Sequence, residues 1–148
     1  MKYVCMLLSL ALLCSCSSPF WTDELGYKVM ELPLEEAWRI SAAIPYIPDD
    51  EGFGYWKSPR ETDADGGGDC EDIATYLVYL LGPSAEMLVI SGGAFQLHAV
   101  VRYNNEILEP QSYGNKYHNV TIFWSLDYYQ VMSAASDHGS KSIDGGTL

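Results

Sequence analysis

The sequence predicts an α+β domain in which one buried helix carries a cysteine and packs on a small antiparallel sheet. Three observations predict it. A nearly unbroken apolar run from Ile73 to Leu81 follows Asp69, a residue suited to start a helix, and ends at Gly82-Pro83. Downstream the apolar period changes to two, as half-buried strands require. Asn104-Asn105 then separates two such strands by two residues that tolerate positive φ, which marks an antiparallel hairpin.

The elements follow in chain order. Leu34 to Ile44 places Leu34, Ala37, Trp38, Ser41 and Ala42 near one face, with Glu35 and Glu36 where a helix dipole favours acids, so the spacing predicts an amphipathic helix. Residues 45–68 hold three prolines and five glycines and read as one long irregular loop. Asp69 caps the next helix, and Asp72 sits three residues on as the capping-box partner. Glu86 to Ile90 is a first strand, Phe95 to Tyr103 a second, and Glu106 to Glu109 a third. Tyr117 to Trp124 reads as a fourth, and Asp127 to Met132 fits strand or helix.

Both ends of the 148 residues differ from this middle. Met1-Lys2, an apolar run from Val4 to Leu13 and the tetrad Leu13-Cys14-Ser15-Cys16 have the grammar of an export signal. The run is too short to span a bilayer as a helix, which needs roughly 20 residues. The tetrad resembles a bacterial lipobox, which makes Cys16 the acylated mature N-terminus. Residues 1–15 are then a signal peptide, 16–30 a tether, 31–132 the domain and 133–148 a disordered tail. Ser17 after the lipidated cysteine favours an outer-membrane anchor facing the periplasm.

Loss of the signal leaves about 130 residues, enough for one core and not two. It also removes Cys5 and Cys14 and commits Cys16 to lipid, so Cys70 stands alone as a buried bystander, an intermolecular link or a reactive group. A net charge of −12 argues against a nucleic-acid partner, since no basic patch is available for phosphates.

Cys70, His98 and Glu109 form the candidate constellation. Free N–H groups at the start of a helix favour a thiolate, by about 0.3 to 2 kcal/mol. Asp69, Glu71 and Asp72 oppose it, because one carboxylate roughly 6 Å away costs about 2 to 3 kcal/mol at an effective dielectric near 20. A reactive Cys70 therefore needs a cation nearby, and an imidazolium from His98 is the candidate. Along the second strand Gln96, His98, Val100 and Arg102 share one face. A two-residue turn at Asn104-Asn105 puts Val100 opposite Glu109, so Glu109 lies diagonal to His98 on the same face, with Gln111 as its rival for orienting the ring. A three-residue turn would reverse that parity. Cys70 as a core residue, His98 as an ordinary strand histidine and Glu109 as an edge charge are the plain alternatives. The Cys70 backbone N–H is one candidate oxyanion donor, and Trp56 is either a cleft wall or packing. The glycines at 66–68 lack a phosphate-loop ending, and His118 and His138 have no metal-ligand spacing.

The segments Tyr55-Trp56-Lys57-Ser58-Pro59-Arg60-Glu61-Thr62 and Gly66-Gly67-Gly68-Asp69-Cys70-Glu71-Asp72-Ile73-Ala74, followed by Leu97-His98-Ala99-Val100-Val101 and Ile107-Leu108-Glu109-Pro110, resemble the bacterial transglutaminase-like cysteine peptidases, a branch of the papain-like superfamily. The resemblance covers about residues 34–112. It implies a papain-like fold, a protein or peptide substrate and a Cys70, His98, Glu109 triad that cleaves a peptide or isopeptide bond. The third member departs from the family, which has Asp, often before Asn, where this chain has Glu109 before Pro110. Members that cleave periplasmic adhesins bind calcium through acids flanking the cysteine, so the resemblance implies calcium at Asp69 and Glu71. Helix capping and the dipole also explain both acids without a metal, and no other cofactor is implied. The competing expectation is a catalytically silent lipoprotein that binds a peptide or envelope component in the same cleft.

Overall fold

The computed structural model describes residues 29–48, 55–92 and 96–141, with side chains described as far as residue 135. The expected signal peptide, Cys16 and nearly all of the tether lie outside these residues. No helix among the described residues is long and apolar enough to cross a membrane.

Helix α1 (Leu34–Ala42) buries Ala37, Trp38 and Ser41, the stripe expected from its spacing. The supposed loop at 45–68 contains a second helix, α2 (Pro59–Asp65). Proline at its first position costs no hydrogen bond, and Ser58 and Glu61 form a reciprocal capping box. Gly66 closes α2 in the left-handed region at φ 73°, where a glycine carries no steric penalty.

Helix α3 (Cys70–Leu81) starts as its sequence predicts, with Asp69 and Asp72 capping each other's backbone N–H groups. Ile73, Ala74, Leu77, Val78, Leu80 and Leu81 are buried along it. Burial of each larger side chain stabilises the fold by about 1.5 to 3 kcal/mol, so this helix is the centre of the core. Asp72 is fully buried and bonded to the Lys57 backbone N–H at 2.7 Å, with the Lys57 ammonium 3.7 Å away. Gly68 is required beside it, because a Cβ there would lie 2.5 Å from the Asp72 side chain.

The sheet has five strands: β1 (Glu86–Ser91), β2 (Leu97–Tyr103), β3 (Glu106–Leu108), β4 (Lys116–Tyr117) and β5 (Ile122–Asp127). Their spatial order is β4-β3-β2-β1-β5, antiparallel throughout. Asn104 and Asn105 adopt φ of 50° and 63°, the two-residue turn that sets Tyr103 opposite Glu106 and Val101 opposite Leu108. The fourth expected strand is two strands. Asn119 turns the chain at φ 55°, leaving β4 and β5 on opposite edges of the sheet.

Ala99, Val101, Met87 and Leu108 meet α3 on one face of the sheet; Leu88, Ile90 and Val100 form a smaller cluster on the other, covered by Ile107, Tyr117 and Val120. Helix α4 (Tyr128–Lys141) packs Tyr128, Val131, Met132 and Ala135 into the main core. The globular part therefore runs past the boundary expected at residue 132.

Candidate active site

Cys70 occupies the first turn of α3, where the backbone N–H groups have no partner within the helix. It packs against the main core beside Ala99 of β2. His98, one residue earlier on that strand, alternates to the opposite face. The two candidates therefore flank the start of β2 from opposite faces. Both line one cleft of about 970 Å3, whose walls include Tyr46, Trp56, Asp69, Glu71 and Trp124. Trp56 is therefore a cleft wall, while His118 is exposed and lies outside the cleft lining.

The acid-base half is closely built. His98 Nε2 lies 2.7 Å from Glu109 Oε2, which leaves Nδ1 as the ring nitrogen not engaged by the carboxylate. The Tyr117 hydroxyl donates to the same Oε2 at 2.6 Å, and the Gln111 backbone N–H donates to Oε1 at 3.0 Å. Glu109 is therefore the side chain bonded to the ring, and Gln111 supports it through its backbone. Burial alone would raise the Glu109 carboxyl, but the His98, Tyr117 and Gln111 contacts outweigh burial and hold it below its ordinary value. The Trp38 indole donates to the Glu109 carbonyl at 2.6 Å and the Ser41 hydroxyl to the Pro110 carbonyl at 3.0 Å, so α1 fixes the backbone that carries the acid.

The thiol half is arranged differently. Cys70 Sγ donates to Glu71 Oε2 at 3.1 Å, and it has no hydrogen bond to His98 among the described contacts. Burial pushes the thiol up to about 12, with Glu71 and then Asp69 adding to the rise and the Ala99 N–H opposing it. The direction is the one the acidic flanks predict, but burial is the larger cause. Asp69 is pushed up to about 8 by burial, by a hydrogen bond shared with Glu71 and by the charges of Glu71 and Asp72. Two carboxylates close enough to share a proton offer the hard oxygen donors that calcium takes, in a set of six to eight. Among the described residues no group of three or more His, Cys, Asp or Glu side chains is placed to hold a metal, so carbonyls and water would have to complete the shell.

Sequence reasoning missed Tyr117 and Trp38 as partners of Glu109. Tyr117 follows Glu109 by eight residues, but nothing local says that an intervening loop returns it to the same carboxylate.

The same arrangement of helix and sheet occurs in solved structures of Legionella pneumophila LapG. One matches with a TM-score of 0.54 at 24% identity, over 66% of this chain and 66% of that one. The fold is the papain-like, transglutaminase-like one. An EGTA-treated LapG matches at 0.51 and 23% identity over 66% of each chain, and a calcium-bound LapG at 0.51 and 24% over 66% of this chain and 67% of that one. The match to the first two spans just under two thirds of LapG's own length. No family model matches the chain, and no curated protein matches it.

Proposed function

We propose that this chain is a thiol hydrolase that cleaves a peptide or isopeptide bond in a protein substrate, lipid-anchored through Cys16 in the bacterial cell envelope and most at home on an outer membrane facing the periplasm. The observation that carries the reading is the shared cleft: Cys70 and His98 line it together, and His98 is locked to Glu109 at 2.7 Å. Fold likeness to LapG supports the same chemistry class.

In the proposed reaction His98 takes the Cys70 proton and the sulfur attacks the amide carbon, forming a C–S bond and an oxyanion. The Cys70 backbone N–H, which has no partner within the helix, supplies one donor to that oxygen. Collapse breaks the C–N bond as His98 returns the proton to the leaving amine. Water, deprotonated by His98, then attacks the thioester and releases a carboxylic acid and the free thiol. Glu109 keeps the ring aimed throughout and stabilises its charged form.

Calcium belongs to this reading as a proposal. A calcium-bound LapG supports an ion here, for which Asp69 and Glu71 would be the first ligands, and the ion would offset the carboxylate charges that add to burial in keeping the thiol protonated. One observation favours the second reading, a silent peptide-binding protein: the Cys70 thiol donates its hydrogen to Glu71 and not to His98.

An acylating probe for cysteine hydrolases separates the two, applied with calcium to the mature protein and to Cys70→Ala. Labelling of the parent and none of the variant is expected; an unlabelled parent leaves only the binding protein. Calorimetry decides the calcium part, which fails if no binding heat appears and chelator leaves labelling unchanged.

A further inference from the structure

We infer that Tyr117 is a positioning residue of the candidate active site, whose hydroxyl clamps the Glu109 carboxylate onto His98. The inference rests on the thiol-hydrolase reading for its catalytic meaning and on geometry for the contact itself. Tyr117 Oη and His98 Nε2 reach the same oxygen, at 2.6 and 2.7 Å. The tyrosine ring also lies beside the imidazole, with centroids 6.1 Å apart and planes inclined at 60°. It comes from β4, held against β3 by the pairing of Ile107 with Tyr117, and it is half-buried where the cleft meets the smaller core.

The need for such a clamp follows from the acid being glutamate. Glutamate has one more rotatable bond than aspartate, and fixing a long side chain costs rotamer entropy. The Gln111 N–H holds Oε1 while Tyr117 holds Oε2. Hydrogen bonds to a charged group are stronger than neutral ones, and two of them together offset that entropy. With both oxygens engaged the carboxylate has one orientation in which Oε2 faces His98. Burial and Glu109 push the phenol up to about 12, so the hydroxyl stays protonated as the donor to that carboxylate.

Tyr117→Phe in the mature protein tests this, read first by the exchange of the His98 ring Nε2–H proton in NMR spectra. That proton is expected to exchange about tenfold faster or more in the variant, as loss of one charge-assisted bond implies. Exchange within twofold of the parent overturns the positioning role. Should the variant fold poorly, 3-fluorotyrosine at position 117 keeps the ring and changes only the hydroxyl's acidity; an unmoved His98 ring signal then counts against the contact. Probe labelling adds the catalytic readout: the maximal inactivation rate falls about tenfold while the half-saturating probe concentration stays within twofold. A parent that no probe labels overturns the hydrolase reading and the catalytic meaning of Tyr117, whereas an unmoved ring proton overturns the clamp alone.

Discussion

The two halves of the cleft are built to different standards. On the His98 side both carboxylate oxygens of Glu109 have donors and the backbone behind it is pinned from α1 by Trp38 and Ser41. On the Cys70 side a thiol, Glu71 and Asp69 crowd together with hydrogens shared among acceptors that would rather be charged. The difference teaches that the fold itself fixes the His98 ring, while the nucleophilic role proposed for Cys70 depends on charge brought from outside or rearranged. The Lys57 ammonium faces Asp65 at 3.4 Å and Asp72 at 3.7 Å and is not among the residues lining the cleft.

The seat of the thiol half can be broken most severely at Asp72. Asp72→Ala removes a buried carboxylate that faces the nearly buried Lys57 ammonium and accepts from two backbone N–H groups, so a loss of about 3 kcal/mol in urea unfolding is expected. A loss under about 1 kcal/mol would show that the thiol half does not rest on this pair. Ser58→Ala tests the neighbouring support more gently. It deletes the α2 capping box and is expected to cost about 1 kcal/mol, with no change in the His98 ring signals.

The smallest effect probes the opposite half. Glu109 is held below its ordinary value of 4.5, so its carboxyl binds a proton less readily folded than unfolded. Its contribution is therefore complete above the unfolded value and is lost as pH falls through the lower folded one. Glu109→Gln lacks that term, and its unfolding free energy should decline less steeply than the parent's in the acid range below 4.5. Equal slopes would mean that the carboxylate is not stabilised in the folded state.

Much of this was legible in the sequence where the cause is local. The Asp69-Asp72 box, the Gly82 stop and the Asn104-Asn105 turn lie within a few residues, and the turn's parity placed Glu109 beside His98. Helix α2 was hidden by the prolines and glycines around it, although Ser58-Pro59-Arg60-Glu61 contains its start signal. The run from Tyr117 to Trp124 read as one strand because alternation says nothing about which sheet edge a residue joins. Tyr117 and Trp38 escaped for the same reason, since their bonds to Glu109 depend on how distant elements return. The acid flanks gave the direction of the Cys70 shift, but its largest cause, burial, is a property of packing.

The contrast between the halves is tested most directly by the rate of Cys70 alkylation with iodoacetamide as a function of pH, measured on the parent and on Glu71→Gln. Removing the carboxylate that accepts the thiol's hydrogen should lower the alkylation midpoint by at least about one unit and speed the reaction at neutral pH. A midpoint that stays in place or rises in Glu71→Gln would contradict the view that the acids beside Cys70 add to burial in keeping its thiol protonated.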